Sequence, residues 1–383
     1  MEPRPDIIII GAGPSGLVAA LTLLQEGQRV AIYDALPKGQ NGSRAAAVHA
    51  HTLEVTSVNF FRIFSSANAL QQLHTLGYAE QLISKGIKGQ GVVNYDCTTP
   101  IMQLSITEYL KGLTEYPFAL LIPQHEIEHI LEEELNGLGV KVRREMRVKG
   151  MEASDSNGIK LTFENGETAQ ATYLIGADGS RSTVCSIIPM KTNRTRLKVR
   201  ELAGISFTNP FNGEPYHMSH REVTGNEIQY LVLADIVLEG SYPSTFLRDR
   251  LSTTISPSGM FLLIPLALPD DIHQCGAECL TFWRAAFNIT AENELPPAKP
   301  NLSYVQEYFS KHQDIWEEKH WPKVLEVRES SRYRVREAMA STMHKPFGPR
   351  GHVLLVGDAA HVHSPAGGQG ALPLSWPKIS VVD

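Results

Sequence analysis

The chain runs to 383 residues, 42% hydrophobic and 20% charged, the make-up of an ordinary soluble protein with ample core in two intertwined domains. A net charge of −6 and the lack of any basic run argue against a nucleic-acid partner. Cys97, Cys185, Cys275 and Cys279 supply neither a disulfide framework nor a zinc set, and the start lacks a basic leader or an unbroken apolar span; the expectation is a cytoplasmic protein with reduced thiols, no metal and no membrane segment.

The opening stretch of ~35 residues carries the pattern of a βαβ unit. Ile7 to Ile10 is an apolar run of strand length, and Leu17 to Leu24 has helical apolar spacing. Gly27 closes that helix, and Arg29 to Asp34 reads as a second strand. Between the first strand and the helix lies Gly11-Ala12-Gly13-Pro14-Ser15-Gly16. Gly11 suits a tight turn, Gly13 lets a pyrophosphate approach the backbone, and Gly16 allows the helix to pack on the strand. The helix start, with Pro14 and Ser15, offers free N–H groups and partial positive charge to phosphates. Asp34, roughly twenty residues on, stands where an acid reaches ribose hydroxyls. A G-x-G-x-x-G alone is a weak signal, and a glycine turn of purely structural origin competes with it. The strand, helix, second strand and acid together outweigh that alternative.

Gly39 to Arg44 is a polar loop, and Arg44 reads either as a solvated cation or as a group reaching back to phosphates. Helical patterns follow at about 51–64, 67–73 and 79–83, then a hairpin of Gln90–Tyr95 with Ile101–Thr107. Leu120-Leu121-Ile122-Pro123-Gln124 leads into an amphipathic helix over Ile127–Leu138 and a strand around Val140. Further strands are expected at Val148–Ala153, Ile159–Phe163 and Tyr173–Ala177. From about 187 to 345 alternating segments such as Ile228–Ala234 and Met260–Pro265 predict an antiparallel sheet, and 291–300 is a polar, proline-rich connection.

Two later segments repeat the form of an apolar strand ending in glycine and aspartate. Tyr173-Leu174-Ile175-Gly176-Ala177 runs into Asp178-Gly179-Ser180-Arg181-Ser182. Val353-Leu354-Leu355-Val356 runs into Gly357-Asp358-Ala359-Ala360-His361, continuing through Pro365 to Gly367-Gly368-Gln369-Gly370. A dinucleotide lying along the edge of a parallel sheet needs such contacts from distant parts of a chain, and FAD accounts for the three segments together. Singly, Asp178 reads as a turn residue and Asp358 as a helix N-cap. Their place beside small residues at the ends of buried strand patterns favours cofactor contact. His361 and His363 lack a third partner and read as packing or hydrogen-bonding residues of the loop.

Together these segments resemble the dinucleotide fold, the Asp-Gly motif and the Gly-Asp motif of FAD-dependent aromatic hydroxylases, the class A flavoprotein monooxygenases of the para-hydroxybenzoate hydroxylase and phenol hydroxylase type. The likeness covers about residues 6 to 370, with the middle matching in layout more than in motif. It implies an α/β fold in which a Rossmann-like FAD-binding domain, a parallel sheet with helices, is intertwined with an antiparallel-sheet substrate domain. The corresponding division is 1–186 for the FAD-binding domain, with an inserted hairpin near 86–119 on the substrate side, 187–345 for the substrate domain, and 346–383 for the return. By the same resemblance Asp34 binds the adenosine ribose, Arg44 and Gln124 contact the FAD phosphate and ribose region, and Asp178 serves both FAD and NAD(P)H. Asp358 contacts the ribityl or ribose hydroxyls, and the Pro365 to Gly370 loop borders the isoalloxazine ring. His51, where relatives often place an arginine before Thr-Leu-Glu, takes no role.

The reaction implied is hydroxylation of a phenolic or related aromatic compound. NAD(P)H delivers hydride to FAD, reduced FAD takes O2 to a C4a-hydroperoxide, and the distal oxygen passes to an electron-rich ring. The protein's share is to position the flavin and exclude water. No second dinucleotide fingerprint exists for NAD(P)H, and neither a substrate contact nor a general base is assignable within 187–345. Pro365 is the one residue set near the chemistry. In the family the Gly-Gln-Gly turn runs into a helix aimed at the flavin pyrimidine edge. Here Ala371-Leu372-Pro373-Leu374-Ser375-Trp376-Pro377 carries prolines that oppose a helix. The alternative expectation is therefore a truncated FAD-binding protein, weakly active or inactive. A flavin halogenase or reductase is the remaining enzyme class, and none of Trp283, Trp316, Trp321 or Trp376 lies in a Trp-x-Trp-x-Ile-Pro setting.

Overall fold

Four consecutive isoleucines are β-branched and uncharged, which suits a strand covered on both faces. The computed structural model, which describes residues 5–39, 46–48, 77–154, 158–179, 198–210, 213, 215, 230–239, 247–256, 259–273, 280–289, 295–311, 323–334 and 338–362, places Ile7–Ile10 in such a strand. It lies in a five-stranded sheet of order His344–Phe347, Gly351–Leu355, Tyr173–Gly176, Ile7–Ile10, Val30–Tyr33. The last four strands are parallel and the first is an antiparallel edge.

Side chains alternate across a strand, so the isoleucines serve two cores. Ile7 and Ile9 join Leu17, Val18 and Leu21 of the helix Pro14–Gln25, together with Ile127, Leu131 and Leu135 of the helix Gln124–Gly137. Ile8 and Ile10 meet Ile159, Leu161 and Phe163 from a three-stranded antiparallel sheet, Val148–Ser154, Gly158–Phe163 and Thr168–Ala171. Pro14 opens the first helix, where its missing N–H costs nothing, and Gly27 follows the helix with φ 73°.

A second sheet has seven strands in the order Lys323–Arg334, Tyr230–Glu239, Leu280–Ile289, Gly259–Leu266, Arg250–Ser256, Gly91–Asp96, Thr99–Ser105. Neighbours are antiparallel except Arg250–Ser256 with Gly91–Asp96, so a hairpin from the early chain extends a sheet built from the middle. One face, with Val232, Ala234, Ile236, Trp283 and Phe287, packs under Val305 and Phe309 of the helix Leu302–Lys311. From the other face Val237, Ile264, Leu266 and Phe282 enter the core of the first helix. That face also carries a buried ion pair. Arg284 donates from Nε and Nη2 to Asp235 Oδ1 and Oδ2 at 2.6 and 2.7 Å. Asp235 is 1% and Arg284 2% exposed.

The strand expected around Val140 reduces to one parallel bridge, Tyr33 with Arg143. The Val140 N–H is spent on Leu135 O at the helix end, and Glu145 takes φ 60°, so the Glu145 and Met146 N–H groups reach Leu36 O and Asp34 O without extending a ladder. The helices expected at about 51–64 and 67–73 lie outside the described residues. No helix among the described residues is long and apolar enough to cross a membrane.

Candidate cofactor site

The register sets the site. Ile10 stands level with Tyr33 on one side and with Gly176 on the other, and Gly176 stands level with Leu355. Each ladder continues one step further. The N–H groups of Gly11, Ala177 and Val356 donate to Tyr33 O, Ile10 O and Gly176 O at 2.8, 2.8 and 3.0 Å. Gly11, Asp178 and Gly357 therefore arrive together at the carboxyl edge of the parallel sheet, where open α/β sheets bind ligands.

Three glycines are fixed by close approach within the protein. Gly11 has φ 107°, and a Cβ there would lie 2.3 Å from Ala177 O. A Cβ on Gly16 would lie 1.9 Å from Gly11 O, which is the tight helix–strand packing expected of that position. On Gly357, at φ 58°, it would lie 2.3 Å from Ser15 Oγ, so the third segment presses on the start of the first helix. Gly13 differs. Its nearest neighbour would be Glu128 Oε1 at 4.0 Å, leaving open space over the turn.

Asp34 ties this turn to the second strand. Its Oδ2 accepts the Ala12 N–H at 2.7 Å and its Oδ1 accepts the Leu36 N–H at 2.8 Å. A carboxylate has about four acceptor positions, so capacity remains for a ribose hydroxyl. Arg144 Nη1 stands 3.8 Å from Oδ1. Gln124 is the first residue of the helix Gln124–Gly137, and its Nε2 donates to Glu128 Oε1 at 2.7 Å. Glu128, 2% exposed, is a residue that the sequence reading passed over. Its signal was an acid four places after Gln124, on the apolar face of an amphipathic helix.

Asp178 Oδ2 accepts the Val199 N–H at 3.0 Å, while Lys198 Nζ donates to the Asp178 main-chain carbonyl. Oδ1 is shut off from solvent and has no hydrogen-bond partner among the described residues. Burial raises the Asp178 pKa above the usual carboxylate range, against the opposing charge of Lys198. Gly179 follows with φ 75° and open space beside it. Gly357–Ala359 is a turn of 3-10 helix capped by Val356, so Asp358 lies inside that turn instead of capping a helix, and it is exposed. His361 pairs with Met339 in a ladder, and no metal-binding cluster occurs among the described residues. Arg44, Pro365, Gly367, Gly368, Gln369 and Gly370 lie outside the described residues.

An open glycine turn at a helix start, an exposed acid and a buried unpaired acceptor on one sheet edge fit the phosphates and hydroxyls of a dinucleotide. A family model described as FAD binding domain matches residues 4–223 and 296–371. The chain belongs to that family. Its α/β architecture, a parallel sheet with helices joined to an antiparallel sheet, is that of the FAD-dependent monooxygenases.

The chain is similar to 6-methylpretetramide 4-monooxygenase from Streptomyces rimosus, 28% identical over 403 residues, covering 99% of this chain and 56% of that protein. It is similar to pentachlorophenol 4-monooxygenase from Sphingobium chlorophenolicum, 26% identical over 390 residues, covering 98% and 58%. Among solved structures, p-nitrophenol 4-monooxygenase from Pseudomonas putida matches with TM-score 0.68 at 19% identity, covering 97% of this chain and 76% of that one. Aklavinone-11 hydroxylase, in complex with FAD and aklavinone, matches with TM-score 0.66 at 18% identity, covering 97% and 60%. At such identities these two show the fold. The chain spans a little over half the length of the two curated relatives.

Proposed function

We propose that this chain binds FAD along the carboxyl edge of its parallel sheet and acts as an FAD-dependent monooxygenase, using NAD(P)H and O2 to hydroxylate a phenolic or related aromatic compound. The observation that carries the reading is the meeting of Gly11, Asp178 and Gly357 at one edge, with open space left over Gly13 in the glycine turn. In this reading Gly11, Gly13, Pro14, Ser15 and Gly16 receive the pyrophosphate at the helix start. Asp34 takes the adenosine ribose, Gln124 and Arg44 the phosphate and ribose region, and Asp178 with Gly179 the centre of the edge. Gly357 and Asp358 face the ribityl hydroxyls, and the loop from Pro365 through Gly367, Gly368, Gln369 and Gly370 borders the flavin ring. FAD, when bound, supplies the redox and oxygen-activating chemistry. The chain's own part is to orient it and to keep water from the reacting atoms.

The aromatic substrate is assigned to the space between the flavin and the seven-stranded sheet. Domain limits of 1–186, 187–345 and 346–383 belong to the same proposal. The pairing of Gly91–Asp96 with Arg250–Ser256 supports putting the hairpin near 86–119 on the substrate side. The test is NAD(P)H oxidation by the FAD-loaded chain with a panel of phenols, with the products examined for oxygen from 18O2. Labelled phenolic product supports the reading. Bound FAD without any labelled product from any phenol contradicts it.

A further inference from the structure

Behind the Asp178 carboxylate stands a cation that the proposed cofactor contacts leave unused. Lys198, half-buried, donates from Nζ to the main-chain carbonyl of Asp178, and Val199 donates its N–H to Oδ2 at 3.0 Å. The segment that carries Lys198 is itself anchored. The Lys198 N–H donates to Glu201 Oε2 at 3.4 Å. Arg200, 8% exposed, donates from Nη1 to Ile205 O at 2.9 Å and lies 3.9 Å over the Phe207 ring. Asp178 Oδ1 is buried and has no hydrogen-bond partner among the described residues, which leaves it able to accept one more bond.

We propose that Lys198 is a positioning residue: its ammonium fixes the Asp178 segment and favours the ionised carboxylate, so that this acid stands ready at the sheet edge for a bound nucleotide. The inference rests on the proposed FAD site. Burial works against a charged Asp178, and Lys198 is the largest influence opposing it, ahead of the Val199 N–H, the Asp178 main-chain N–H and Arg200. Arg200 is the other cation acting on the carboxylate, and its Nη2 already meets Glu201 Oε1 at 3.3 Å. Removing the Lys198 charge while keeping a donor therefore leaves Asp178 in place but harder to ionise.

FAD affinity measured by flavin fluorescence from about pH 5.5 to about pH 8.5 tests this. Wild type is compared with K198Q, which keeps a donor without charge, K198M, which removes both, K198R, which keeps both, and D178N. The expected result is that K198Q and K198M bind about tenfold more weakly at the acid end and recover as pH rises. K198R should follow wild type, and D178N should be weak throughout. A K198Q profile identical to wild type, with D178N still weak, overturns the role of Lys198 and leaves the cofactor site standing. Wild-type affinity in D178N and in Gly13→Val overturns the cofactor site itself. Melting temperatures accompany each titration, and if K198M fails to fold, the contrast of K198Q with K198R decides.

Discussion

Replacing Gly11 by alanine would set a methyl group 2.3 Å from Ala177 O, 2.5 Å from Ala177 C and 2.8 Å from Asp178 N, whereas ordinary contact begins at 3.4 Å. All three atoms are backbone, and Ala177 is held by its N–H on Ile10 O at 2.8 Å. The residue also sits at φ 107°, a region that costs a non-glycine residue about 1–3 kcal/mol. Forcing the backbone apart adds about 1–3 kcal/mol, the usual cost of overpacking. The expected loss is thus about 2–6 kcal/mol, a large share of a typical ~5–15 kcal/mol stability. Gly13→Ala meets nothing nearer than Glu128 Oε1 at 4.0 Å and, as a helix N-cap without a side-chain bond, should cost under about 1 kcal/mol. Gly13→Val keeps the fold but projects its branches toward the ligand, and FAD affinity should fall at least about tenfold. Guanidinium unfolding followed by circular dichroism measures the first effect and FAD titration the second. An unchanged unfolding midpoint in Gly11→Ala, or unchanged FAD affinity in folded Gly13→Val, would refute this division of labour.

Because the folded-state pKa of Asp178 is raised, the native state keeps a proton that the unfolded chain has released, so stability falls as pH climbs from about 4 through the folded value. Asp178→Asn should then raise the melting temperature near pH 7 and leave it unchanged below about pH 4; an equal shift at both pH values contradicts the burial of a charge there. Truncating either Asp235 or Arg284 to alanine should cost about 3–5 kcal/mol by stranding a buried charge, whereas the double change Asp235→Leu with Arg284→Met should cost less than either single one. Additive losses in denaturant titrations would rule out that coupling. Asp34→Ala and Asp358→Ala should each weaken FAD binding by about 1–3 kcal/mol. The Asp34 change should also lower the unfolding midpoint, because it strips the Ala12 and Leu36 N–H groups of their acceptor, and a midpoint equal to wild type would count against that role.

The βαβ unit is legible in the sequence because a strand buried on both faces must be a continuous apolar run, and because the glycine turn has fixed spacing. Much of the seven-stranded sheet is not. Leu280–Ile289 shows no alternation, since Trp283 and Phe287 pack under one helix while Phe282 packs toward another. Arg284 looks like a solvent residue, and only pairing with the distant Asp235 makes it a core one. Lys323–Arg334 is rich in charge, and its ladder with Tyr230–Glu239 slips between Asp235 and Ile236 and again between Val237 and Leu238, which destroys a period of two. At the cofactor edge, Asp34, Asp178 and Asp358 announce themselves by standing next to glycine or at a strand end. Glu128 and Lys198 do not, because each acts on the edge from an element whose approach only the folded chain reveals.

The cofactor edge is tested most directly by equilibrium binding of FAD to the purified, folded chain, alongside Gly13→Val. One FAD per chain is expected, released by heat and visible by its absorbance, with binding lost in the variant while its circular dichroism stays the same. A folded wild-type chain that binds no flavin at about 0.1 mM FAD, or a Gly13→Val variant that binds as tightly as wild type, would contradict it.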